Sequence, residues 1–277
     1  GEYMLNKFFK IVICFFLIIF INVNALSTDL SKDNIDFSKK GSLLINYRYE
    51  DLKVNDILVK VYKVASFNKE MKYELIDSFK DYPVKVNGLK SNQEWNTLKQ
   101  TLLAYIEANS ILENYQGSVI DNKFSLSNLD LGLYLVVTEK IENRDYSLIF
   151  EPFLINVPNL DEFGYWDYDL DVFPKVSEYI RNYEDVSYSV FKKWNDNGKN
   201  RPKSITIEVY KNNELYDTKV LSSTNNWYYS WDSILDGSVW NVFERDVPDG
   251  YNVSISFENN NFVITNTLDN VDNPQTS

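Results

Sequence analysis

Three polar residues occupy positions where strand patterning calls for apolar ones. Successive strand residues point to opposite faces. In Val186–Trp194, residues Val186, Tyr188, Val190, Lys192 and Trp194 share one face, and Lys193 points to the other. Near the C-terminus Phe262, Ile264 and Asn266 share a face, and Trp240, Val242 and Glu244 make a third stripe. A lysine, a carboxyl and an amide therefore project from apolar stripes of three strands. Burial favours the neutral form of an amine and the protonated form of a carboxyl. A neutral amine is a nucleophile, and a protonated carboxyl polarises an amide carbonyl. Lys192 can then attack the Asn266 side-chain amide and expel ammonia while Glu244 moves the proton. The fold itself holds the groups at reacting distance. The product is an isopeptide bond within one chain; an unreacted triad held by hydrogen bonds is the alternative. Asp232 is the substitute acid if Glu244 is exposed.

A further lysine ends the run Trp166–Lys175 (WDYDLDVFPK). Trp166, Tyr168, Leu170 and Val172 form an apolar stripe, alternating with Asp167, Asp169, Asp171 and Phe173. Pro174 ends the ladder and holds Lys175 off the sheet, so its amine is expected in solvent. Composition alone makes it an ordinary solvated lysine.

The elements that must position these groups are mostly strands. Runs rich in β-branched and aromatic residues fall at 42–49, 57–64, 123–126, 132–139, 146–157 and 166–173. One segment is helical. Ser91 to Glu94 is a capping box, and Trp95, Leu98, Leu102, Tyr105 and Ile106 follow at helical spacing, which predicts a helix over 92–109. Pro174 and the charged stretch Glu178–Asp185 mark a boundary. Beyond it, short strands separated by Asn/Gly/Asp/Pro turns fill 186–268. The opening strand at 42–49 holds no lysine, so no equivalent cross-link is expected in the first unit. Glu139 there is an ordinary strand-end residue.

The bulk composition narrows the function classes. The 277 residues contain no histidine and carry a net charge of −12. That charge repels nucleic acid and anionic lipid, so neither is expected as a partner. Without histidine the usual general base and the commonest metal ligand are missing. No metal and no cofactor are expected, and the chain does not read as an enzyme. The N-terminus reads as a secretory signal peptide over 1–25: Lys7 and Lys10, the apolar run Ile11–Ile21, then Val23-Asn24-Ala25. The apolar run is short for a bilayer, so no stable membrane span remains after its removal. The single cysteine, Cys14, lies inside that run. The exported chain would then lack disulfides and need its core or another cross-link for stability. Residues 26–41 form a polar lead-in.

Several motifs resemble known families. Residues 186–268 resemble a collagen-adhesin B-type (Cna-B) domain of Gram-positive surface proteins. The resemblance rests on Lys192-Lys193-Trp194 with the turn Asn195–Gly198, and on Arg201–Ile205 and Asn225–Trp231. It extends through Val242-Phe243-Glu244, Val247–Tyr251 and Ile264–Thr267. It implies an Ig-like sandwich with a Lys–Asn bond and an acidic catalyst, at Lys192, Asn266 and Glu244. The pattern Trp-x-x-x-Leu-x-Val-Phe-Pro-Lys in 166–175 resembles the pilin motif of sortase-assembled pili, with Leu170 and Phe173 departing from the usual valine and tyrosine. Glu151–Pro158, Ile57–Ala65 and Leu131–Glu139 resemble parts of pilin N-terminal domains, so this resemblance covers most of 42–176. It implies that Lys175 accepts the C-terminal acyl group of the next subunit, delivered by a sortase. Asn273–Ser277 (NPQTS), in the tail 269–277, resembles a sorting pentapeptide with Asn for Leu and Ser for Gly, which implies an acyl bond at Thr276. Family precursors continue with an apolar segment and a basic end.

The expected fold is mainly β: two tandem Ig-like, Cna-B-type β-sandwich domains at 42–176 and 186–268, the first with one inserted helix. The expected role is a structural subunit of a sortase-assembled pilus, minor/basal or backbone, at the Gram-positive cell wall; two domains are few for a backbone subunit, which slightly favours a minor or basal one. Sortase and other pilus subunits are the implied partners. The alternative is a cell-wall adhesin binding a host surface ligand. A carboxylate-dependent hydrolase ranks below both, because no paired-carboxylate motif stands out.

Overall fold

The computed structural model describes residues 34–180, 183–196, 198 and 201–268. The expected signal peptide 1–25 with Cys14, most of the expected lead-in, and the tail 269–277 with Thr276 lie outside the described residues.

The first unit opens with β1 (Gly41–Asn46), β2 (Leu58–Phe67) and β3 (Tyr73–Leu75). Helix α1 (Asn92–Asn109) follows. Its capping box is complete, with the Ser91 hydroxyl accepting from the Glu94 N–H and the Glu94 carboxylate accepting from the Ser91 N–H. Next come β4 (Tyr115–Ser118), β5 (Lys123–Leu129), β6 (Gly132–Thr138), β7 (Ile141–Glu142), β8 (Tyr146–Phe150) and β9 (Phe153–Val157). The short β10 (Asn159–Leu160) and β11 (Trp166–Asp167) pair with each other, and β12 (Asp169–Val172) and β13 (Val176–Ile180) close the unit. One sheet runs β12-β1-β5, and the larger one runs β3-β2-β6-β9 with β4 also on β2.

The central strand β6 buries both faces. Tyr134 and Val136 face the core between the two sheets, with Leu43, Ile45, Val59 and Val61. Leu133 and Leu135 face the opposite way, into a cluster that contains Trp95, Leu98 and Leu102 of α1. The helix thus covers the outside of the larger sheet.

The second unit comprises β14 (Asp185–Asn195), β15 (Ser204–Lys211), β16 (Glu214–Ser222), β17 (Tyr228–Ile234), β18 (Trp240–Arg245), β19 (Tyr251–Glu258) and β20 (Asn261–Leu268). A four-stranded sheet, β17-β14-β20-β19, faces a three-stranded one, β16-β15-β18. The first and last strands of the unit lie side by side: β14 and β20 pair in parallel, with Trp194 opposite Asn266.

The described residues are mainly β, two Ig-like sandwiches with one α-helix, as the patterning implies. The helix, however, serves both units. It packs on β18 and β19 as well as on the first unit, and one apolar cluster runs without a break from Tyr62 through α1 to Ile264. Several local readings differ from the structure. The run 166–173 is two short strands parted at Tyr168, β11 paired with β10 and β12 with β1. The run 146–157 is two strands parted at Glu151-Pro152, because proline has no N–H to give the ladder. Pairing also continues past Lys175: β13 runs antiparallel to β8 inside the stretch that the charges marked as a boundary.

Candidate functional site

Lys192, Glu244 and Asn266 meet inside the second sandwich. Strand alternation turns Lys192 of β14 and Asn266 of β20 to the same inner face. Ile264 lies directly opposite Lys192, so Asn266 is its diagonal neighbour on the adjoining strand. Glu244 reaches them from β18, across the sandwich. The Lys192 Nζ lies 3.0 Å from Glu244 Oε2, and both side chains have 0% exposure. The Asn266 Nδ2 donates to Glu244 Oε1 at 2.8 Å. Neither the Lys192 Nζ nor the Asn266 Oδ1 has another hydrogen-bond partner among the described residues. Among the described residues, Glu244 is thus the polar partner shared by Lys192 and Asn266.

The electrostatics follow from burial. Burial pushes the Lys192 amine down from its ordinary value, and the Glu244 carboxylate opposes that push. Burial pushes Glu244 up, against the pull of Lys192 and the Asn266 hydrogen bond. Both shifts favour the neutral amine and the protonated carboxyl, the pair required for attack on an amide. A half-turn of the Asn266 amide brings Oδ1 to Glu244 Oε1, where a protonated carboxyl can donate to it and polarise the carbonyl.

Aromatic rings roof the site. The Lys192 Nζ sits 4.4 Å from the centre of the Trp194 ring, and Trp194 packs edge-on against Trp227 and Tyr251. Behind them the Asp196 carboxylate accepts from Arg201 and from the Tyr251 hydroxyl. Arg201 holds Asp196 well below the usual carboxylate range, so it stays charged. Asp232, the substitute acid, is exposed on β17, where it accepts from the Ser187 hydroxyl. It takes no part in the buried cluster.

Lys175 stands apart from this site. It is exposed between β12 and β13, with its backbone carbonyl accepting from the Glu151 N–H at 2.7 Å. Trp166, Leu170 and Val172 are buried, while Asp167, Asp169, Asp171 and Phe173 face out. Lys99 of α1 is a neighbour: burial pushes its amine down, Glu151 opposes, and Lys175 adds to the push. Glu139 is exposed just past the end of β6.

Residues 188–267 match the family model described as the Cna protein B-type domain. The chain carries a Cna B-type domain. All three buried polar residues, and β14 through β20 that position them, fall within it apart from the first three residues of β14 and the last of β20. Several solved structures resemble the chain at low scores. A single B repeat unit of the collagen binding surface protein Cna of Staphylococcus aureus is 13% identical; the match covers 83% of this chain and 98% of that one, with TM-score 0.28. The full-length major pilin SpaD of Corynebacterium diphtheriae is 17% identical, covering 84% of this chain and 65% of that one, with TM-score 0.32. GBS52, a minor pilin of Streptococcus agalactiae, is 14% identical, covering 86% and 99%, with TM-score 0.25. No curated protein matches the chain.

The sequence reading missed a polar group of residues at the helix. Gln100 donates to the Asn241 side chain, which donates to Glu107, both at 2.6 Å. Burial raises Glu107 to about 7, against the Asn241 hydrogen bond. Asn241 points away from Glu244 on the same strand, toward α1. Only knowledge that the helix docks on β18 gives these residues a role, and no periodicity in either segment signals that docking.

Proposed function

We propose that this chain is a structural subunit of a sortase-assembled pilus on a Gram-positive cell surface, with a self-formed Lys192–Asn266 isopeptide bond in its Cna B-type domain. The observation that carries the reading is the buried contact of Lys192, Glu244 and Asn266. The neutral Lys192 amine attacks Cγ of Asn266, and the Cγ–Nδ2 bond breaks. Glu244 takes the proton from the attacking nitrogen and gives one to the leaving nitrogen, so ammonia departs and the carboxyl is regenerated. An ion pair this deeply buried is a weak source of stability by itself. A covalent bond in its place removes both charges.

Exposure of Lys175 beside the pilin-like motif supports the second half of the reading. Its amine would take the acyl group of a neighbouring subunit from a sortase thioester, forming an amide and releasing the enzyme's thiol. In this reading the tail serves the same chemistry as donor through Thr276, and the signal segment 1–25 delivers the chain to the outside. No helix among the described residues is long and apolar enough to cross a membrane.

Intact mass spectrometry tests the bond: the purified chain should weigh one ammonia less than its sequence. A full-mass wild type rejects it. Co-expression with a cognate sortase tests the linkage: a ladder of covalent oligomers that disappears in Lys175→Ala supports the subunit role, and a ladder that persists unchanged rejects Lys175 as the acceptor.

A further inference from the structure

The cross-link site has a wall that does not belong to its own domain. The side of the second sandwich between β18 and β19 is where each sheet ends, and segments of the first unit fill it. The Val253 N–H donates to the Pro83 carbonyl and the Ile255 N–H to the Thr101 hydroxyl, each at 2.8 Å. Two outward donors of the edge strand β19 are thus satisfied by the first unit. Between these anchors Tyr82 is 6% exposed. Its ring stacks on Tyr105 of α1 at 3.9 Å and lies 6.4 Å from Phe243, next to Glu244 in sequence. Tyr82, Pro83, Phe243, Glu244, Val247 and Tyr251 line one cleft of about 320 Å³.

We propose that the first unit completes the cross-link site: Tyr82, held by Pro83 and α1, keeps water from Glu244, so bond formation depends on docking of the two units. This rests on the reading of Lys192 and Asn266 as the bonded pair. Tyr82 is a positioning residue, since nothing brings it to the reacting atoms. Burial and the Glu244 charge both push its hydroxyl upward, which keeps it a neutral wall. The hydroxyl itself has no partner among the described residues, so the ring is the working part.

The physical reason lies in how Lys192 and Glu244 share a proton. The ion pair and the neutral pair contain the same number of protons, so pH between the two macroscopic steps does not choose between them. Local polarity does. Water favours the ion pair, and a dry site favours the reactive neutral pair. Removing the wall should therefore slow bond formation by a factor that stays constant across neutral pH.

The test follows the full chain made by cell-free synthesis, with intact mass read at successive times between pH 6 and 8. Wild type should lose one ammonia, and Tyr82→Phe should do so at least as fast. Tyr82→Ala should be about tenfold slower, the factor for one unit of relative proton affinity, and equally so at each pH. Thr101→Val, which removes only the hydroxyl anchoring β19, should be slowed in the same direction and replaces Tyr82→Ala if that variant does not fold. A wild type that never loses ammonia overturns the bond and this inference together. A wild type that reacts while Tyr82→Ala, or its replacement, keeps pace overturns the inference alone. Tyr82→Phe as slow as Tyr82→Ala overturns the ring's role as a wall.

Discussion

The two sandwiches solve the same packing problem with different polar groups. In the first, two inner contacts join neutral groups: the Tyr73 hydroxyl donates to Asn156 at 2.6 Å, and the Tyr47 hydroxyl pairs with Thr138 at 2.9 Å. Its opening strand presents Leu43 and Ile45 to the core. In the second, the opening strand presents Lys192 to the interior, where Glu244 of β18 meets it. Neutral hydroxyls need only one partner each and cost little to bury once bonded. A buried lysine and carboxyl are costly even when paired. Reaction of the pair, as proposed, would remove that cost in the second unit, whereas the Tyr73–Asn156 and Tyr47–Thr138 contacts carry no such cost.

The largest test of the contrast is Lys192→Ala. Loss of the proposed bond restores the full sequence mass. Treated like a disulfide closing a loop of this length, the bond is worth roughly 4–5 kcal/mol. We expect a sharply lower melting temperature and early protease cleavage within 186–268. Equal melting of variant and wild type would show that the second unit gains nothing from its lysine.

A smaller effect is expected at the junction. Glu107 is raised to about 7, above the ordinary value of about 4.3 for a glutamate. Between these values the folded chain holds a proton that the unfolded chain has released, so stability falls as pH rises through that window and is level above it. The loss should be about 1–2 kcal/mol once partial exposure is discounted. Glu107→Gln should flatten the melting temperature between pH 5 and 8, and a slope that persists would assign it to another group.

In the first unit Tyr47→Phe removes one neutral hydrogen bond and should cost about 0.5–1.5 kcal/mol by denaturant titration, with no change of mass behaviour. Smallest of all, Lys175→Ala should shift stability by less than about 0.5 kcal/mol, as for an exposed residue away from special features. Its full effect should appear only in the sortase ladder. A large loss of stability there would mean that Lys175 is a packing residue.

Much of this architecture was legible in advance. Alternation alone turned Lys192, Glu244 and Asn266 inward, because one-residue steps along a strand leave only two choices of face. The capping box marked the start of α1 to the residue. What could not be read was the partner of that helix. Its apolar stripe says that one side is covered, and the stripe is the same whether the cover is the first unit's sheet or β18 and β19. Docking of Thr101 on Ile255 joins residues 154 positions apart, and no local pattern encodes such a pair. Tyr82 was invisible for the same reason: it sits in an irregular segment where no period assigns a face. The strand Val176–Ile180 was hidden by its composition, since an edge strand with exposed Glu178 and Ile180 reads as a linker.

The parallel pairing of β14 with β20 has a mechanical consequence. Strand β14 enters the second sandwich at one end, and β20 leaves it at the other, with Ser189 beside Asn261 and Asn195 beside Thr267. A pull on the two ends therefore drags these neighbours past each other in shear, straining their hydrogen bonds together rather than one at a time. With the proposed bond in place, force travels along β14 to Lys192, crosses to Asn266 and leaves within two residues, at Leu268. The hydrogen-bonded strands in between would carry none of it, and the domain would transmit tension as an inextensible link.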